Sequence, residues 1–362
     1  MTWIERRFAR NDTVELAYDR FQEGAGGEPL LLVMGLAVSR HWWPRELCAA
    51  FAVAGFSVAR YDQRDAGEST RLPGNASPNS PFASLACRRS AAYTAEDMAD
   101  DAIAVMDALG WKSAHLFGHS LGGVVAQRVA LRHPDRVRTL TSSAALPSDV
   151  GGLGAFRHLR LGTLAKFARI KPAHSRQERI ATGLAVARLC ASPGYPFDET
   201  AALERITADV DTSIADAKAQ SRQIGAKWHG PSLAELRVPT LVLHGTGDPL
   251  LKPSAGRATA AAIRDARLVL QPGVGHDIPR ERHIAVASEV RALADQALGR
   301  PSAVGAPAAE TGHQLPGRVL GQPEGSGGLL GCRIAPGLVG RPVPDLYGGH
   351  LQPAGCPYGR QR

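Results

Sequence analysis

Three residues far apart in the chain, Ser120, Asp248 and His276, each stand in a glycine-containing loop just after an apolar, strand-like run. Ser120 is the centre of Gly118-His119-Ser120-Leu121-Gly122, which follows Ala114-His115-Leu116-Phe117 and precedes an amphipathic helical pattern starting near Val124. Asp248 lies in His244-Gly245-Thr246-Gly247-Asp248-Pro249, and His276 in Gly273-Val274-Gly275-His276-Asp277. A serine hydroxyl is a poor nucleophile until a base takes its proton, and the imidazole that serves must be oriented by a third group. A tight strand–turn–helix strains the serine backbone and admits only small neighbours, a demand met by Gly118, Gly122 and Gly123. The spacing predicts Ser120 as nucleophile, His276 as base and Asp248 as the orienting acid. Asp149 is the substitute acid and His283 the substitute base. His133 and His244 read as structural, and His119 either lines the pocket or fills the turn. Acyl chemistry also needs N–H donors aimed at the developing oxyanion. The backbone N–H of Leu121, next after the serine, is one candidate. The N–H of Leu36 is the other, in a loop where Gly35 permits close approach.

Such residues meet only if the intervening chain builds a sheet with its loops at one rim. Residues 4–22 alternate loosely around an Asn11-Asp12 turn and predict a hairpin. Leu30-Leu31-Leu32-Val33-Met34 is continuously apolar, as in a strand buried on both faces. A helix over 45–54, a strand over 56–61, an irregular loop over 66–92 and a helix opened by Thr94-Ala95-Glu96-Asp97 follow. Strand signals recur at 137–141, 239–244 and 267–270, with helices near 254–265 and 284–299. This alternation predicts an α/β fold with a doubly wound, mostly parallel sheet. It lapses between 150 and 232, where helical stretches predict an inserted cap. The expected organisation is a core of 1–149 and 233–300, a cap of 150–232, and a tail of 301–362. That tail holds 14 Gly and 9 Pro with no period, the composition of a disordered segment.

The net charge of +8 comes mostly from arginines spread along 362 residues, with no dense basic run to suit nucleic acid. The longest apolar run is too short to cross a bilayer, and the N-terminus carries no apolar leader, so a cytoplasmic protein without membrane attachment is expected. Five cysteines without CxxC spacing predict reduced thiols and no zinc site. No cofactor is called for, and a homodimer stays open.

The chain resembles the α/β-hydrolase superfamily, and within it the group that includes aclacinomycin methylesterase. The resemblance rests on Leu31-Leu32-Val33-Met34-Gly35-Leu36, Trp43-Pro44, Arg60 through Thr70, Tyr93 through Ala102, and Gly118 through Gly123, and covers about residues 10–300. It implies the α/β-hydrolase fold and a Ser–His–Asp hydrolase with Ser120, His276 and Asp248 in those roles and the Leu36 and Leu121 amides as oxyanion hole. Asp62 to Thr70 reads as a structural turn network. The expected substrate is a small or medium carboxylic ester, fairly apolar given Phe156, Leu161, Phe167 and Trp228 in the insert. C–C bond hydrolysis, lactone opening, perhydrolysis and a non-catalytic ligand receptor are the alternatives. Serine at the turn speaks against dehalogenase or epoxide-hydrolase chemistry.

Overall fold

The run Leu30–Val33 divides its side chains between two cores: Leu30 and Leu32 pack on one side, Leu31 and Val33 on the other. This explains its unbroken apolarity, because a strand covered by helices on both faces has no solvent side. The computed structural model describes residues 3–21, 26–73, 92–167, 169–170, 173–213, 216 and 218–300; the tail expected at 301–362 and most of the 66–92 loop lie outside them. Eight strands form one sheet: β1 (Trp3–Asn11), β2 (Val14–Phe21), β3 (Glu28–Val33), β4 (Phe56–Tyr61), β5 (Ala114–His119), β6 (Val137–Ser143), β7 (Thr240–Gly245) and β8 (Arg267–Gln271). Their order is β1-β2-β4-β3-β5-β6-β7-β8. The β1–β2 hairpin is antiparallel and joins β4 antiparallel; every pair from β4 to β8 is parallel.

The helices α1 (Arg45–Val53) and α10 (His283–Ala297) cover the face carrying Leu30, Leu32, Phe56, Val58, Phe117, Leu241 and Leu243. On the other face lie α2 (Ala95–Ala108), α3 (Leu121–Arg132) and α9 (Ser254–Ala262). The Thr94–Asp97 capping box opens α2, and Gly110 at φ +72° follows its end. Helix α3 begins three residues before the expected Val124. Gly122 and Gly123 are poor helix formers on paper, but they lie inside the first turn because the helix must touch the sheet there. A Cβ on Gly122 would stand 2.0 Å from the Val33 carbonyl oxygen.

Between β6 and β7 the described regular structure is helical: α4 (Leu153–Phe156), α5 (Leu161–Phe167), α6 (Arg176–Cys190), α7 (Glu199–Thr212) and α8 (Ala219–Gly225), followed by a 3-10 turn at Leu233–Glu235. Helix α7 stops where the Thr212 hydroxyl turns back to the Ala208 carbonyl and Ser213 becomes extended. Two of the apolar residues assigned to the insert behave otherwise. Trp228 packs into the α2–α3 core, donating Nε1–H to the Pro231 carbonyl, and Leu161 is 64% exposed. Among the described residues no helix is long and apolar enough to cross a membrane.

Candidate active site

The sheet order reverses between β3 and β5, which are neighbours although β4 lies between them in sequence. At such a switch point the loops after the two strands diverge to opposite faces and leave a crevice at their carboxyl ends. Ser120 follows β5, and Gly35 follows β3 across that crevice. A Cβ on Gly35 would lie 3.2 Å from the Ser120 Cβ. Ser120 itself sits at φ +56°, ψ −123°, a conformation costly for a residue with a side chain. The surroundings impose it: the Ser120 N–H donates to the Ser143 carbonyl of β6 at 2.9 Å, and the Gly123 and Val124 amides bond back to the Ser120 carbonyl. Gly118 has no room for a Cβ, which would stand 2.2 Å from the Gly122 oxygen. The strain presents the hydroxyl at the rim, half-buried.

Asp248 and His276 reach the same point from the ends of β7 and β8. The Ser120 hydroxyl donates to His276 Nε2 at 3.0 Å, and His276 Nδ1–H donates to Asp248 Oδ2 at 2.8 Å. The other carboxylate oxygen accepts the Leu250 and Leu251 amides, each at 2.8 Å, so the acid cannot rotate away. Asp248 is fully buried and His276 is 7% exposed. Burial alone would discharge both groups. The mutual attraction overrides it: the Asp248 carboxyl is held below the usual carboxylate range, and the His276 ring is held above its ordinary value.

The substitutes are otherwise engaged. The Asp149 carboxylate receives the Leu233 amide, and His283 donates Nε2–H to the Ile278 carbonyl. His133 binds Asp100. His244 is buried 3.8 Å from Asp248, and burial lowers its proton affinity. His119 fills the turn from below. Its Nε2–H donates to the His276 carbonyl at 2.8 Å, and Nδ1 accepts from the Ser143 hydroxyl. Burial and the neighbouring His276 push its pKa down to about 3, so it stays neutral.

The N–H groups of Leu36 and Leu121 find no acceptor among the described residues. Leu121 opens α3, where the first amides have no intrahelical partner and the helix dipole favours negative charge. The Leu36 loop is fixed at four points. Gln63 Nε2–H donates to the Met34 carbonyl, the Ala37 N–H to Gln223 Oε1, the Ser39 N–H to Asp209 Oδ1, and the Arg40 N–H to Asp62 Oδ1. Asp62 also receives the Arg40 guanidinium and the Glu68 amide, which is the turn network expected for 62–70.

Sequence reasoning missed the side chains that hold these loops. Gln223 and Asp209 come from α8 and α7. Ser192, after α6, accepts the Gly275 N–H and donates to Asp277, while the Cys190 carbonyl accepts the amides of both His276 and Asp277. Arg160 donates to the Asp248 carbonyl at 2.7 Å. None of them carries a local motif. The capping box that starts α6 at Ser175 is the nearest signal, since it fixes where that helix delivers Cys190.

A switch-point crevice holding a strained serine, an imidazole and a buried carboxylate defines a hydrolase-type site on a doubly wound sheet. A family model described as alpha/beta hydrolase fold matches residues 28–281, and the chain belongs to that family. Rhodomycin D methylesterase DauP of Streptomyces sp. (strain C5) is 30% identical over 294 residues, 75% of this chain and 93% of that protein. Rhodomycin D methylesterase DnrP of Streptomyces peucetius is 29% identical over 308 residues, covering 78% and 96%. These similarities bear out the resemblance carried by the motifs. The esterase RhEst1 from Rhodococcus sp. ECU1013 shares the fold, with a TM-score of 0.62 at 22% identity over 81% of this chain and 99% of that one.

Proposed function

We propose that this α/β-hydrolase is a serine esterase that cleaves a small or medium, fairly apolar carboxylic ester, such as a methyl ester, through an acyl-enzyme. The observation that carries this reading is the unbroken relay from the Ser120 hydroxyl to His276 and the buried Asp248. His276 takes the Ser120 proton as the oxygen attacks the ester carbonyl. The Leu36 and Leu121 amides receive the oxyanion, and His276 then protonates the departing alcohol. Water enters, gives a proton to His276 and releases the acid, restoring the serine. Leu36 and Leu121, both half-buried and next in sequence to Gly35 and Ser120, bring apolar side chains to the site, and residues 150–232 serve as the cap of a core of 1–149 and 233–300. The methylesterase relatives, similar over nine-tenths of their own length, support the ester assignment.

The test is turnover of p-nitrophenyl esters, of simple carboxylic acid methyl esters and of rhodomycin D, named for the methylesterase relatives, by the wild type and by Ser120→Ala. Release of methanol and free acid, abolished in a folded Ser120→Ala protein, is expected. Full turnover in that variant excludes the relay. Lactone, C–C ketone and peroxide substrates in the same panel separate the alternative reactions of one triad.

A further inference from the structure

The loop that carries the Leu36 amide is shaped by the insert as well as by the core. Ala37, next after Leu36, has φ +53°, a left-handed conformation that an alanine does not adopt unaided. Its N–H is captured at 2.8 Å by Oε1 of Gln223, a residue of α8 that is 1% exposed. The other end of the same amide, Nε2, donates to the Arg64 carbonyl at 2.7 Å. Gln223 is thus a rigid strut with both ends bonded, reaching from the insert to the residue beside the donor. Two residues further on, the Ser39 N–H donates to Asp209 Oδ1 of α7 at 3.0 Å. The core contributes its own ties through Gln63 at Met34 and Asp62 at Arg40, which leaves 37–39 to the insert.

We infer that Gln223, assisted by Asp209, is a positioning residue that sets the Leu36 N–H for the oxyanion. This rests on the serine-hydrolase reading and adds that the insert takes part in transition-state stabilisation. Without the strut, Ala37 relaxes toward negative φ, the Leu36–Ala37 peptide whose N–H it held turns, and the shift passes through Leu36 to the Gly35–Leu36 peptide, whose N–H is the donor. A misplacement of about 1 Å weakens a hydrogen bond that matters only when negative charge appears on the carbonyl oxygen. Substrate binding, made before that charge develops, changes little.

The experiment compares Gln223→Leu and Gln223→Glu with the wild type. It measures kcat and KM on a methyl ester, inhibition by a trifluoromethyl ketone that forms a tetrahedral adduct, and thermal melting. Gln223→Leu is expected to lose roughly 10²-fold in kcat, with KM within about threefold and ketone affinity falling in proportion. Gln223→Glu, protonated in this buried place against the Arg64 carbonyl, keeps an acceptor for the Ala37 N–H and an O–H donor for that carbonyl. It is expected to recover most of the wild-type kcat toward low pH, a separation of the two variants that a loss of packing alone would not produce. A folded Gln223→Leu protein with kcat within about threefold of wild type, or with undiminished ketone affinity, overturns the inference. So does an equal loss in both variants. Should Gln223→Leu not fold, Asp209→Ala takes its place. A roughly tenfold loss of kcat at constant KM, restored by Asp209→Asn, supports the inference, and unchanged kcat overturns it. Failure of the serine-hydrolase reading would show earlier and separately, as wild-type turnover that survives Ser120→Ala.

Discussion

The serine turn and the loops that face it are built by different means. Around Ser120 the contacts are main chain to main chain, between β5, β6, β3 and α3, and glycines at 118, 122 and 123 let backbones touch. The loops proposed to carry the acid, the base and the oxyanion donor lean on the helical insert: Arg160 at Asp248, Cys190 and Ser192 at His276, and Gln223 and Asp209 beside Leu36. The Ser120 turn is therefore part of the core and shares its stability. The loops carrying Asp248, His276 and Leu36 rest in addition on Arg160, Cys190, Ser192, Asp209 and Gln223 from between β6 and β7. On the proposed reading, the insert bears on the chemistry through those loops.

Variants should separate the two regions. Gly122→Ala should have the largest effect on folding, because its Cβ would stand 2.0 Å from a backbone oxygen that cannot yield. We expect a loss of about 3 kcal/mol or more, seen as little soluble protein or a sharply lowered melting temperature. Asp248→Asn should instead leave a folded protein and reduce kcat by roughly 10⁴-fold, because the imidazole loses its tautomer and its counter-charge. Ser192→Ala should be milder. It strands the Gly275 N–H and the Asp277 carboxyl, at about 1–2 kcal/mol, with roughly tenfold in kcat from a looser histidine loop. If Ser192→Ala lowers the melting temperature without touching kcat, the mooring is structural only and the contrast between the regions fails.

The pH profile sharpens the same comparison. In the proposed mechanism His276 acts as a base when neutral, and Asp248 holds its ring above the ordinary value of 6.5. The kcat/KM profile should therefore rise with pH through a midpoint above 6.5 and fall as the ring is protonated below it. In Asp248→Asn the ring, followed by NMR, should titrate lower, since burial then acts without the carboxylate. The smallest effect is expected at Arg176→Ala, which removes an exposed ion pair with Asp211 on the outer side of the insert. Neither kcat nor the melting temperature should move.

The sheet and the meeting of Ser120, Asp248 and His276 were legible in the sequence because each depends on local pattern. Apolar runs end in glycine-bearing loops, and Ser120, Asp248 and His276 fall just beyond strand ends. The moorings were not legible for a physical reason. Gln223 binds a residue 186 positions away, Asp209 one 170 away and Ser192 one 83 away, and a polar side chain on a helix looks the same whether it meets water or a distant amide. Trp228 misled in the opposite sense, since its apolarity serves the α2–α3 core and not the insert. The start of α3 was placed late because glycine signals helix breaking, whereas here it permits close packing against β3.

Peptide mass mapping after treatment with a fluorophosphonate tests the activated serine most directly. One phosphonyl adduct on the peptide containing Ser120 is expected in the wild type, with labelling slowed by several orders of magnitude in His276→Gln. An adduct on another residue, or equal labelling of Ser120 in both proteins, would contradict the account.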